Sequence, residues 1–267
     1  MATSAVSAKR VVSLASVCLL DGKQYQKREY VVSALQTVPA KTDIVALPHM
    51  PFLTYRGRAT ARDLAPFVEL ARQRKTYVAL SLTEEAAGQT YYTALLLDRT
   101  GKIVGKYRKT HLPREEWRQG VTPGSEYPVF KTDFGTVAIQ ICYDWFFPEV
   151  VTAFAAQGAE IVFAPTWGTT FADKEGKVEG ETVFRVRARD NGVYMVPSVY
   201  DGCSMVIDPL GRILASNKGE TGVFWAEADL NEREPLWRVG HWRAIGPRDR
   251  MPYTYAPLVD PMQGPTY

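Results

Sequence analysis

Cys142 and Lys109 are placed, by residue type and position, to do chemistry together. Cys142 closes the apolar run Val137–Cys142, and Pro148 opens a helical pattern a few residues later. This predicts a thiol on a tight strand-to-helix turn at the carboxyl end of a sheet, where ligand sites of α/β proteins collect. Lys109 stands just past a second predicted strand, Lys102–Tyr107, so both side chains can project into one crevice. A thiol attacks as the thiolate, which calls for a lowered pKa or a nearby base. Position alone does not compel either role: a buried Cys is more often inert core, and a strand-end Lys is ordinarily a solvated charge.

The elements that must position these residues follow from hydrophobic periodicity. Apolar, β-branched runs predict strands at Val11–Leu20, Asp43–Leu47, Tyr77–Leu82, Tyr91–Leu97 and Lys102–Tyr107. A second set follows at Val137–Cys142, Ile161–Ala164, Tyr194–Val199, Ser204–Ile207 and Gly222–Ala228. Spaced apolar positions predict helices over Lys23–Val38, Thr60–Arg74, Pro148–Gln157 and Glu179–Asn191. Strands alternating with helices imply an α/β protein, with helices covering sheets. The turns Asp98-Arg-Thr-Gly101 and Asp208-Pro-Leu-Gly211 share the form strand, Asp-x-x-Gly, strand, which hints at two related halves. No Pro- or Gly-rich linker divides them, so residues 1–230 are read as one fused domain. The Pro- and aromatic-rich tail, 231–267, is expected to pack on a partner subunit.

Composition removes several function classes. The chain has 267 residues, 46% hydrophobic and 23% charged, which excludes a disordered or low-complexity chain. Its 32 basic and 29 acidic residues leave a net charge of +3, too small and too evenly spread for nucleic-acid binding. No apolar run approaches the roughly 20 residues that cross a bilayer. The run Val11–Leu20 after Lys9 and Arg10 lacks a small-residue cleavage site, and Val17 before Cys18 spoils a lipoprotein-type one. It reads as a first strand, and the protein as cytoplasmic. Three cysteines, Cys18, Cys142 and Cys203, are too few for a disulfide scaffold. His49, His111 and His241 are not at metal-ligand spacing, and no Gly-rich phosphate loop is present, so neither a metal nor a cofactor is expected.

Several separated motifs, in order, resemble the carbon–nitrogen hydrolase (nitrilase) superfamily. They are Tyr107-Arg-Lys109-Thr-His111-Leu112, then Phe134-Gly135 through Cys142-Tyr143-Asp144 to Pro148-Glu149, and then Arg187-Ala-Arg-Asp-Asn191. Gly202-Cys-Ser204 with the Asp208–Gly211 turn continues the match over roughly residues 10–230. The resemblance implies a four-layer αββα sandwich that dimerises as αββα–αββα. It also implies a Glu–Lys–Cys triad, usually with a second Glu on the loop after the Lys, cleaving non-peptide C–N bonds. By that resemblance Cys142 is the nucleophile and Lys109 the cation beside it. A Lys109 ammonium and the backbone N–H after Cys142 can then stabilise the oxyanion formed by attack on a carbonyl. Glu116 is the better candidate for the second acid, with Glu115 its close competitor. His111 is expected to order its loop. Tyr143, Trp145 and Trp167 are candidate pocket walls, with core packing the alternative for each.

One position departs from the pattern. The strand-end motif that should finish Pro–Glu reads Asp43-Ile-Val-Ala-Leu-Pro48-His49, so an imidazole occupies the place of the first catalytic carboxylate. Imidazole is a capable general base and reaches about as far as a carboxylate. The exchange also removes a negative charge beside Lys109, which disfavours protonated His49 and makes it a poorer acceptor. Loss of a catalytic base commonly costs about 10²–10⁴ in rate. The sequence therefore predicts an amidase-type homo-oligomeric hydrolase of a small amide or carbamoyl compound, working through Cys142, Lys109, His49 and Glu116. The alternatives are an impaired or inactive protein of the same fold that acts by binding, or a nitrile hydrolase.

Overall fold

The computed structural model describes residues 8–20, 28–57, 63–172, 177–232, 235–236, 240–241 and 249–259. The first half runs β1 (Val11–Cys18), α1 (Arg28–Leu35), β2 (Ile44–Tyr55), α2 (Ala65–Arg74), β3 (Tyr77–Ala86), β4 (Gln89–Leu97), β5 (Ile103–Arg108) and α3 (Arg114–Arg118). Then come β6 (Phe130–Lys131), β7 (Thr136–Ile139), α4 (Pro148–Ala156), β8 (Ile161–Pro165), β9 (Thr170–Ala172), β10 (Lys177–Glu179) and α5 (Gly180–Asn191). The last strands are β11 (Tyr194–Ser198), β12 (Met205–Ile207), β13 (Ile213–Ser216) and β14 (Gly222–Asp229).

Two six-stranded mixed sheets form, in the orders β14-β1-β2-β3-β4-β5 and β13-β12-β11-β8-β7-β6. Each carries three parallel strands linked by helices, then a hairpin closed by an Asp-x-x-Gly turn. The two turns are built alike. Asp98 Oδ1 accepts from the amides of Thr100 and Lys102, and Asp208 Oδ1 accepts from those of Leu210 and Arg212. Gly101 and Gly211 adopt φ of 74° and 79°, which a side chain would strain. The chain thus contains two halves of one topology, as the repeated turn suggested.

Period-two alternation sorts the first sheet's residues between two cores. Leu14, Ile44, Ala46, Ala79, Ala94 and Leu96 face the second sheet. Their neighbours Ala15, Val45, Val78, Leu80, Leu95 and Leu97 pack under α1 and α2 through Val31, Leu35, Phe67 and Leu70. Phe154 of α4 and Phe184 of α5 join the core on the second sheet. The layers are helix, sheet, sheet, helix, the αββα arrangement expected from the motifs. Between the sheets a polar seam runs from Ser16 to Ser198, whose hydroxyls lie 2.9 Å apart, and Ser198 donates to the Ala46 carbonyl at 3.1 Å.

Several boundaries differ from the sequence reading. The strand expected at Val137–Cys142 stops at Ile139, and Cys142 instead opens a 3-10 turn, Cys142–Phe146. The strand expected at Asp43–Leu47 continues to Tyr55, with register slips flanking His49 because Pro48 has no N–H for the ladder. The described part of the first expected helix is α1, and the second begins at Ala65; residues 23–27 and 60–62 of those expectations lie outside the described residues. Helix α3 was missed because five residues carry no helical period. Of the tail, Pro235–Leu236 pairs with Gly240–His241 and Ala256–Val259 is a short exposed helix.

Candidate active site

Four chain segments carry the candidate residues: the bulged end of β2 with His49, the residue after β5, helix α3, and the 3-10 turn after β7. Lys109 is held by its backbone, whose N–H donates to the Tyr92 carbonyl at 2.8 Å and whose carbonyl accepts from Gly124 at 2.7 Å. Gly124 is required there, because a Cβ would collide with the Arg108 carbonyl oxygen. Lys109 is 1% exposed, and its ammonium lies 2.6 Å from both carboxylate oxygens of Glu116. Glu115 points away, 70% exposed and 3.8 Å from Arg118. Helix α3 therefore aims Glu116, not its neighbour, at Lys109. Burial pushes the Glu116 carboxyl up, the Lys109 charge pulls it down, and the Asp144 charge adds to the rise.

Cys142 has φ of +45°, a left-handed conformation uncommon outside glycine and a local backbone strain. The turn that imposes it is closed by Asp144, whose N–H donates to the Ile141 carbonyl at 3.1 Å and whose Oδ2 accepts from the Ile141 N–H at 2.9 Å. Pro148 then starts α4, where its missing N–H costs nothing.

His49 is buried, with Nδ1 2.9 Å from the Ser81 hydroxyl. Its pKa is held well below the ordinary 6.5, first by burial and then by the Lys109 charge, so the imidazole is neutral at neutral pH. Tyr92 contacts two of these groups. Its ring meets His49 edge-on at 5.0 Å and lies 5.6 Å from the Lys109 ammonium. Burial raises the Tyr92 phenol pKa, and the charges of Glu116 and Cys142 raise it further.

The aromatic candidates separate. In the 3-10 turn Tyr143 and Phe146 share one face, with ring centroids 4.9 Å apart, and Asp144 and Trp145 turn inward. Trp145, expected at the pocket wall, is core: it stacks on Phe146 at 4.2 Å and meets Phe184 at 5.4 Å. Trp167, 42% exposed at the end of β8, packs edge-on to Tyr200 at 5.8 Å. His111 stacks on Phe147 at 3.9 Å, with Nδ1 2.9 Å from the Thr110 hydroxyl. The His241 side chain lies outside the described residues. A polar cleft of about 380 Å³ beside Lys106, Arg108 and Glu126 contains none of His49, Lys109, Glu116 or Cys142.

Sequence reasoning missed Tyr92, Ser81 and the depth of Asp144. Tyr92 and Ser81 lie in apolar strand runs where core packing is the default reading. Among the described residues no cluster of His, Cys, Asp or Glu is disposed to hold a metal ion, and no helix is long and apolar enough to cross a membrane.

Comparison with known proteins bears on this arrangement. The carbon–nitrogen hydrolase family profile matches residues 14–237. The N-carbamoylputrescine amidase of Oryza sativa subsp. japonica is 31% identical over 231 residues, covering 77% of this chain and 74% of that protein. A solved member of branch 10 of the nitrilase superfamily, from Saccharomyces cerevisiae, superposes with a TM-score of 0.68 at 23% identity, over 85% of this chain and 93% of that one. A mutant of the amidase from Nesterenkonia sp. AN1, solved in complex with butyramide, gives 0.69 at 22% identity, over 92% and 95%.

Proposed function

This chain belongs to the carbon–nitrogen hydrolase family, and on that premise we propose that it hydrolyses the C–N bond of a small linear amide or carbamoyl compound through a thioester on Cys142. The observation that supports the reading is the buried Lys109–Glu116 pair, with His49 and Lys109 both against the Tyr92 ring. The amidase names of relatives such as the rice N-carbamoylputrescine amidase favour amide over nitrile.

In this reading the Cys142 sulfur attacks the carbonyl carbon and its proton passes to neutral His49. Lys109 and the Tyr143 N–H hold the developing oxyanion. The tetrahedral intermediate collapses, the C–N bond breaks, and His49 returns the proton to the leaving nitrogen as ammonia or an amine. A water held by Glu116 then attacks the thioester, passing a proton through that carboxylate to the sulfur, and the acid leaves. Tyr92, Tyr143 and Trp167 wall the substrate. The protein works in the cytoplasm as a homodimer of αββα units; a monomer by light scattering would remove that part.

The lowered basicity of His49 supports a second reading, a site retained but slowed. Ammonia release from butyramide and from a panel of carbamoyl compounds tests both. Turnover by the native protein supports hydrolysis. Turnover only after His49→Glu supports the impaired site, and none in either protein rejects both.

A further inference from the structure

We infer that Asp144 is the positioning residue that sets the Cys142 nucleophile against the Lys109 ammonium, by binding both of their loops with one carboxylate. The inference rests on the roles of Cys142 and Lys109 proposed above. Asp144 is fully buried. Its Oδ2 accepts from the Ile141 N–H at 2.9 Å and from the Tyr107 hydroxyl at 2.7 Å. Its Oδ1 accepts from the His111 N–H at 3.0 Å and from the Thr110 hydroxyl at 3.3 Å, with His111 Nδ1 at 3.2 Å.

These partners bracket the two reactive residues. Ile141 immediately precedes Cys142, and Asp144 itself lies in the same turn. Tyr107 lies two residues before Lys109, and Thr110 and His111 follow it directly. Charge-assisted bonds to a carboxylate are roughly twice as strong as neutral ones, and burial strengthens them further. The carboxylate therefore fixes the left-handed turn at Cys142 and the loop after β5 relative to each other.

The arrangement demands an anion with two accepting oxygens. Each oxygen faces a backbone N–H that cannot turn round, at Ile141 on one side and His111 on the other. In Asp144→Asn the amide NH₂ must confront one of them, so one loop is released whichever way the side chain sits. A misplacement of about 1 Å costs about 10²-fold in rate.

The test compares native protein, Asp144→Asn and Tyr107→Phe in two assays: steady-state hydrolysis of butyramide, and the pH–rate profile of Cys142 alkylation by iodoacetamide. Asp144→Asn is expected to lower kcat about 10²-fold with KM changed much less. Its alkylation profile departs from the native one, because the sulfur is no longer held in its place. Tyr107→Phe deletes one donor and keeps the buried ring, so it is expected to shift the same profile less and cost about tenfold in kcat. Wild-type profiles and kcat in a folded Asp144→Asn overturn the inference. If that variant fails to fold, an unshifted Tyr107→Phe overturns it. If the native protein hydrolyses no amide, the proposed reaction fails, and the alkylation profiles still decide the role of Asp144.

Discussion

The Lys109 ammonium sits 2.6 Å from both oxygens of Glu116, enclosed almost completely by protein. A buried cation needs a close anion, and here the acid is supplied by a five-residue helix whose other glutamate faces solvent. With imidazole at position 49, Glu116 is the carboxylate in direct contact with Lys109, so it sets the charge state of the site.

Replacing Glu116 with Gln removes that anion and the proposed water-holding group. The expected loss in kcat is about 10²–10⁴-fold, the range of a general base. Burial raises the Glu116 carboxyl, so the native acid limb of kcat is expected above the ordinary value of 4.5. Activity falls as pH drops through that limb, because protonation neutralises the acid. A pH–rate series on both proteins checks this; an unchanged limb in Glu116→Gln assigns it to another group.

His49 links activity to stability. An unfolded chain protonates this histidine near 6.5, and the folded protein keeps it neutral well below that. The depressed folded value means the native state is favoured fully above about pH 6.5, and this contribution is lost as pH falls towards the folded value. His49→Gln is expected to flatten the acid side of the stability curve by at most about 1.4 kcal/mol per pH unit. Urea unfolding across that range measures the slope, and equal slopes would show that His49 does not bind its proton differently in the two states.

The legible part of this protein was its layering. Strands buried on both faces read as unbroken apolar runs, and the paired Asp-x-x-Gly turns disclosed the repeated half. Lys109 and Cys142 could be singled out because each follows or closes an apolar run within a recognisable motif. The choice between Glu115 and Glu116 was not legible, because α3 is too short for periodicity. Asp144 stood in the motif, but its burial depends on donors from residues 107–111, a contact made only by folding. The burial of Trp145 was not legible for a related reason: its contact with Phe184 of α5 is made only by folding.

Glu84 should be a structural anchor beside the site. Its buried carboxylate binds Arg108, Lys106 and Thr93 at 2.7–3.1 Å. Burial acts to raise it, but these hydrogen bonds prevail and bring it to about 2. Its contribution is full above the ordinary 4.5 and is lost as pH falls towards 2. Arg108 and Lys106 are partly exposed and can rehydrate, so Glu84→Gln is expected to cost about 1–3 kcal/mol by urea unfolding. No loss would show that the anchor is dispensable.

The thiols should differ in reactivity. Burial pushes the Cys18 thiol up to about 11, against opposing hydrogen bonds from Ser204 and Asn217. Peptide mapping after brief iodoacetamide treatment near neutral pH is expected to find Cys142 modified and Cys18 intact. Equal labelling of the two would contradict an activated nucleophile.

The most direct test of the account is intact-mass analysis of the protein quenched during turnover of butyramide, followed by peptide mapping. A fraction of the protein is expected to be heavier by one butyryl group, carried on Cys142 and absent from Cys142→Ala. Ammonia release by the native protein with no acyl adduct on Cys142, or equal release by Cys142→Ala, would contradict it.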